Sequence, residues 1–193
     1  MFQRSLNKQA VLRLIEGRFP KTPLAPPILE AWKAYIVDAS EEAEHAFQRL
    51  IPWTWWEAPK ETLFAGYGGI GFIPDEVFSY YLPGCMKRSL FPKEDIDGIG
   101  RTLLRLAARG YAFETLSARQ TLAVGWFVYY LALRHELAFD GRFSIVRMKI
   151  ASKTNESAQT REKDALFRAL ADAEDSWARL ATPAVPHKRC EGI

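Results

Sequence analysis

The sequence predicts an all-α protein, a single domain of six or seven helices packed around one central apolar helix at about residues 118–137. Apolar residues recur three and four positions apart along most of the chain, which is typical of helices that bury one face. The length of 193 residues favours one domain, and a hydrophobic content of 48% suffices for a core. We therefore expect a helical domain over residues 1–181 and a loose C-terminal tail over residues 182–193.

Proline and glycine divide the first half of the chain into four predicted helices. Their expected spans are 3–17, 27–37, 41–51 and 74–91. Between the third and the fourth, residues 52–73 are rich in Gly and Pro, which predicts irregular structure around one short helical piece. Pro83 lies inside the fourth helix, where its missing N–H predicts a kink, and Phe78, Leu82 and Met86 form the expected buried row.

The second half of the chain contains the expected central helix. Ser117 and Gln120 have the spacing of a capping box, in which each side chain bonds the backbone N–H of the other residue. The helix that follows carries no charge from Leu122 to Leu133, but this run is shorter than the roughly 20 residues of a membrane span. Residues 142–150 alternate like a strand without a partner. Two more helices are predicted at 95–109 and 160–181.

Charge and cysteine content restrict the class of protein. The net charge is +3, and Lys/Arg and Asp/Glu are balanced in each third of the chain. A nucleic-acid-binding protein usually shows a basic stripe, so we expect no nucleic acid partner. Two cysteines, Cys85 and Cys190, form no disulfide framework, and the N-terminus has no apolar run of signal-peptide length. These features predict a cytoplasmic protein with no membrane partner.

The motifs that suggest chemistry are weak in their context. The segment Gly66–Gly71 matches the letters of a dinucleotide fingerprint, but no βαβ pattern surrounds it, which favours a tight or flexible loop. The histidines lack the spacing of metal ligands; they are His45, His135 and His187. No nucleophile has an identifiable base near it in sequence. We therefore predict no catalytic, cofactor-binding or metal-binding residues and no cofactor.

Aromatic residues are densest just before the fourth helix. Trp53, Trp55, Trp56 and Tyr67 are the candidate partner-binding residues, since exposed aromatic side chains often anchor protein interfaces. The alternative is that they fold back and cap the core. Nearly consecutive side chains point apart, so we expect at least one of the three tryptophans to be exposed.

A family resemblance is carried by the middle of the chain, from about Ser40 to Gln120. A charged helix ends in a Trp-rich segment, and Phe72 to Pro83 follow the pattern Phe-x-Pro-x-x-x-Phe-x-Tyr-Tyr-Leu-Pro before Leu116-Ser117-Ala118-Arg119-Gln120 opens an apolar helix. On these features the chain resembles a family of small all-helical bacterial proteins of unknown function. Ile73 departs from the Thr or Ser of that pattern. The resemblance implies a helical fold and a bacterial source, and no activity.

These observations favour a non-catalytic, protein-binding function. Its most specific form is an immunity or antitoxin-like protein that occludes a toxin or effector. The even charge argues against a strongly acidic surface of the kind that attracts a basic nuclease. The alternative is a small enzyme with a pocket near the kinked helix 74–91, using Tyr80, Tyr81, Arg119 and His135.

Overall fold

Helices account for the regular structure of the described residues. The computed structural model describes residues 7–65, 69–90, 102, 106, 114–135, 146, 148, 150, 164–166 and 168. Complete helices within these ranges are α1 (Lys8–Arg18), α2 (Pro26–Ile36), α3 (Glu41–Leu50), α4 (Lys60–Leu63), α5 (Asp75–Ser89) and α6 (Ala118–His135), with a 3₁₀ turn at Ile70–Phe72. The isolated residues 102, 106, 146, 148, 150 and 168 are also helical. The fold is therefore all-α, as the sequence predicts.

The first helix is shorter at its start than its pattern suggests. It begins at Lys8 because Asn7 has extended backbone angles, and its side-chain Oδ1 accepts a hydrogen bond of 2.9 Å from the N–H of Ala10. Val11 and Ile15, one turn apart, are fully buried. Through this face α1 packs against α6 and α5. The helix continues through Gly17, which the sequence predicts as its end, and stops at Arg18.

Helix α5 crosses the middle of the core. It runs without interruption through Pro83, which therefore lies inside a helix as predicted. The row Phe78, Leu82 and Met86 is fully buried, which confirms the predicted inward face. Because proline has no N–H, Pro83 cannot donate the usual helical hydrogen bond to the carbonyl of Ser79.

Helix α6 is the central helix. The capping box at its start is confirmed: the N–H of Ser117 donates to Gln120 Oε1 at 2.9 Å, and the N–H of Gln120 donates to Ser117 Oγ at 3.3 Å. Every residue from Thr121 to Leu131 is buried, including Trp126. A helix that is buried on all sides must be enclosed by the others, which explains why its sequence lacks a polar face.

The strand-like pattern at 142–150 belongs to helical structure at each residue that the structure describes there. Val146, Met148 and Ile150 are helical, and only the first and third are buried, while Met148 is 61% exposed. Positions 146 and 150 are one helical turn apart, so the same residues that alternate as a strand also mark one face of a helix. A Cβ added to Gly125 of α6 would collide with Leu166 and contact Ile150, which shows that these segments cross α6 at its glycine.

The remaining predicted elements are described only in part. Thr102 and Leu106, from the helix expected at 95–109, are helical and buried. Residues 164–166 and 168, from the helix expected at 160–181, are helical as well. The tail at 182–193 lies outside the described residues.

Candidate functional site

The Trp-rich segment is fixed to the core by a buried tyrosine. The hydroxyl of Tyr81, on α5, lies 2.8 Å from the carbonyl oxygen of Leu50 and 2.9 Å from that of Trp53. A phenol has one proton to donate, so the two carbonyls share it. Burial, with a smaller contribution from Tyr80, raises the pKa of Tyr81 well above its usual range. Tyr81 is thus neutral, and it orders the backbone that carries Trp53.

Two further residues on the same face of α5 hold the segment that follows. Gly84 and Arg88 lie three and seven positions after Tyr81. The backbone carbonyl of Trp55 approaches Gly84 so closely that any Cβ there would collide with it. Arg88 Nε donates to the carbonyl of Ala58 at 3.0 Å. Together the three residues clamp the chain from Leu50 to Ala58.

The three tryptophans of this segment have different environments. Trp55 is 2% exposed, and its indole Nε1 donates to the carbonyl of Pro20 at 3.0 Å. Trp56 is half-buried, with its ring edge-on to Trp55 at a centroid distance of 5.8 Å. Trp53 is 40% exposed. The prediction that at least one ring is exposed is confirmed, and that ring is Trp53. Tyr67 lies outside the described residues.

A surface groove with a volume of about 410 Å³ runs between α2 and the start of α5. Its lining is mostly apolar and comprises Pro27, Ile28, Ala31, Trp32, Tyr35, Pro74, Glu76 and Val77. The α2 residues at 28, 31, 32 and 35 have the spacing i, i+3, i+4, i+7, so they form a single stripe along that helix. The groove lies beside the core, since the ring of Trp32 is edge-on to Tyr81 at 6.4 Å and to Phe47 at 4.8 Å.

Two polar groups of the groove residues have no partner among the described residues. Trp32 is only 1% exposed, yet its indole Nε1–H meets no hydrogen-bond acceptor in the described part of the chain. Glu76 is exposed in the first turn of α5 and forms no ion pair with a described residue. An unsatisfied buried donor of this kind costs about 1–3 kcal/mol, so such groups are uncommon in the interior of a protein.

None of the groove residues was among the site residues that the sequence predicts. The available signal was the composition of α2, which reads Pro-Pro-Ile-Leu-Glu-Ala-Trp-Lys-Ala-Tyr-Ile and is apolar on more than one face. Such a helix is normally buried on all sides. Here Trp32 is its one buried residue, and Tyr35 is 50% exposed.

Of the residues proposed for an enzyme, Tyr80 and Tyr81 have their rings edge-on to each other at a centroid distance of 4.9 Å. The groove does contact the predicted pocket helix, now α5, but its lining contains neither Tyr80, Tyr81 nor Arg119. Tyr80 is half-buried, and burial is the main cause that raises its pKa. Arg119 contributes its backbone carbonyl to a bond with Arg18. His135 is the last residue of α6, and its side chain is outside the described part of the chain.

Other expectations concern metals, membranes and nucleotides. In the described ranges, His, Cys, Asp and Glu side chains form no group of three that would hold a metal ion. None of the described helices combines the length and apolar character of a membrane span. Of the Gly66–Gly71 loop, the structure describes Gly69–Gly71: Gly69 precedes the 3₁₀ turn, and Ile70 and Gly71 belong to it. A dinucleotide fingerprint would instead follow a strand and open an α-helix.

The fold and the groove define an all-α protein with an apolar surface site and no recognisable catalytic centre among its described residues. Residues 7–178 match the model of a family of unknown function, DUF6714, and the chain belongs to that family. The match covers most of the chain and includes the part from Ser40 to Gln120 that carries the resemblance noted above. No curated protein and no solved structure matches the chain.

Proposed function

We propose that this protein acts by binding another protein, and that Trp53 is the anchor of the interface. The observation that carries this proposal is the contrast within one segment, in which Trp55 is buried and Trp53 is 40% exposed. Removing the exposed ring from water would favour association, because tryptophans at interfaces contribute disproportionately to affinity.

The backbone around Trp53 supports this role. The N–H of Trp53 donates to the carbonyl of Leu50 at 2.9 Å, and the Trp53 carbonyl accepts from Tyr81. An anchor whose backbone is already ordered loses little conformational entropy on binding. Trp53 therefore has both a large apolar area to bury and a fixed position from which to present it.

The chemistry of the surroundings favours a protein over a nucleic acid. Stacking of bases on aromatic rings needs interleaved basic side chains. Between Trp53 and Tyr81 the sequence has Lys60 alone, against the acidic residues Glu57, Glu61, Asp75 and Glu76. This balance would repel a phosphate backbone and tolerate a protein surface.

In its most specific form, the proposal is that of a bacterial, cytoplasmic immunity or antitoxin-like protein that occludes a toxin or effector. A small helical protein can block a partner by covering its active surface and needs no chemistry of its own. The net charge of +3 gives no strong acidic field, so we expect recognition to depend on apolar contact rather than electrostatic steering.

A photo-crosslinking experiment tests the proposal. The chain is expressed in its source cells with benzoylphenylalanine at position 53, and adducts are identified by mass spectrometry. The control carries the same group at Met148, which is also exposed. We expect one covalent adduct from position 53 and none from position 148. Adducts at both positions, or at neither, would contradict the proposal.

A further inference from the structure

The loop between α1 and α2 carries a row of exposed prolines. Pro20, Pro23 and Pro26 follow one another at a spacing of three residues, and all three are exposed. Residues 20–25 contain no helix, strand, turn or bend. A polyproline II helix has three residues per turn, so in that conformation the three rings lie along one edge, about 9 Å apart. The loop therefore has the sequence pattern of a polyproline II ligand.

The backbone of this loop is restricted to extended conformations. Proline fixes its own φ, and it disfavours the α-helical region for the residue that precedes it. Three residues of the loop precede a proline, namely Phe19, Thr22 and Ala25. Ala25 has φ −60° and ψ 134°, near the polyproline II values, and Phe19 is extended as well. Both ends of the loop are thus extended before any partner binds.

Two aromatic side chains hold the loop from its inner side. Trp55 Nε1 donates to the carbonyl of Pro20 at 3.0 Å, and the hydroxyl of Tyr80 is hydrogen-bonded to the backbone of Leu24. Leu24 also packs its side chain against the core, and it alone of residues 20–25 is not exposed. These contacts use the backbone and Leu24, so they fix the loop and leave the proline rings in solvent. A ligand fixed in this way loses little conformational entropy when it binds.

One charged residue accompanies the prolines. Lys21 is the only charged residue between Pro20 and Pro27, and it is exposed. Its ammonium group lies 3.8 Å from a carboxylate oxygen of Glu16, in a surface ion pair of a kind that contributes little to stability. Lys21 can therefore exchange this contact for a carboxylate of a partner.

We infer that residues 20–26 are a docking segment for a partner protein that has a groove lined by aromatic side chains, with an acidic residue beside it for Lys21. Grooves of this kind receive the prolines of a polyproline II segment between their aromatic rings and exploit its low conformational entropy. The inference extends the proposed protein-binding function to a separate surface and names the chemistry of the partner. It does not depend on Trp53.

Titration with domains that carry such grooves tests the inference. The probes are purified SH3 and WW domains, each titrated into the ¹⁵N-labelled full-length protein. We expect at least one probe to shift the amide resonances of Lys21, Thr22 and Leu24, because these residues lie in the docking segment. The buried indole N–H of Trp126 should not shift. The same probe with one aromatic residue of its groove replaced by alanine should not bind.

Matched proline substitutions separate docking from unspecific adhesion. Pro23→Ala removes the central ring of the row and should weaken binding about tenfold. Pro27→Ala removes a ring that is also exposed but lies outside the three-residue spacing, and it should leave the affinity unchanged. Lys21→Gln should weaken binding more at low than at high ionic strength, because salt screens the lost attraction. The groove variant of the probe gives a readout that requires no change to this chain.

Every outcome bears on the inference. Binding of no probe, equal binding by Pro23→Ala, or an equal loss in Pro27→Ala would overturn it. Trp53→Ala should leave probe binding unchanged, because Trp53 lies outside the docking segment. Probe binding without an adduct from position 53 would refute the Trp53 anchor alone. An adduct from position 53 without probe binding would refute the docking segment alone.

Discussion

The hydroxyl of Tyr81 lies 2.9 Å from the backbone carbonyl of Trp53, so a buried helix positions an exposed ring. The hydroxyl is as close to the carbonyl of Leu50, at 2.8 Å. Replacing Tyr81 by Phe keeps the ring and leaves both carbonyls without this donor. We expect a loss of about 1–3 kcal/mol in the free energy of unfolding, measured by urea denaturation. Tyr35→Phe, on an exposed ring, should change it by less than about 0.5 kcal/mol.

Trp53 and Trp55 should respond oppositely to truncation. Trp55→Ala removes a side chain that is 2% exposed and should cost about 3–5 kcal/mol of stability. Trp53→Ala should leave the melting temperature nearly unchanged and weaken the complex with the captured partner by about 2 kcal/mol, which is roughly thirtyfold in Kd. A large fall in melting temperature for Trp53→Ala would show that the ring is structural.

Two glycines in helices should respond oppositely to substitution by alanine. Gly84→Ala forces a Cβ against the backbone carbonyl of Trp55, which cannot move away without disturbing the clamped segment. We expect a clear loss of stability. Gly17 of α1 has no atom within 4 Å of the added Cβ, so Gly17→Ala should raise the free energy of unfolding by about 0.5–1 kcal/mol. Differential scanning fluorimetry of both variants shows directly whether each substitution raises or lowers the melting temperature.

Cys85 should make stability depend on pH in the alkaline range. Burial raises the pKa of its thiol, so the folded protein keeps the proton that the unfolded chain releases. Because the folded state then binds more protons, the free energy of unfolding falls as pH rises above about 8.5, by at most about 1.4 kcal/mol per pH unit. Cys85→Ala should flatten this slope in urea titrations between pH 8 and pH 10. An unchanged slope would contradict the assignment to Cys85.

The Gly66–Gly71 loop should bind no nucleotide. Its described part ends in a 3₁₀ turn and not at the start of an α-helix, so it offers no row of helical N–H groups to a pyrophosphate. We expect no shift in melting temperature with millimolar ATP or NAD. A ligand at 100 times its Kd would stabilise the fold by about 2.7 kcal/mol, which is easily measured. A shift of that size, abolished by Gly68→Ala, would show that the loop binds nucleotide.

Local sequence patterns predict the helices well where each pattern is compatible with only one kind of secondary structure. The capping box of Ser117 and Gln120 forms as predicted because both partners lie within one turn of the same helix. The inward row of α5 is also confirmed, since spacing alone places Phe78, Leu82 and Met86 on one face. At 142–150 the pattern was compatible with two kinds of secondary structure. Val146 and Ile150 suit both a strand and a helix, and the helix is the one that packs on α6.

By itself the sequence determined the all-α class and the central helix. It also determined that the three nearly consecutive tryptophans cannot all be buried in one core. Those properties follow from periodicity, capping and side-chain direction, which are local. Only the tertiary structure decided that Trp53 is the exposed ring, because that depends on Tyr81, Gly84 and Arg88, about thirty residues further along the chain. The tertiary structure also forms the groove along α2. An apolar stripe on one helix becomes part of a groove only when a second helix, here α5, packs beside it.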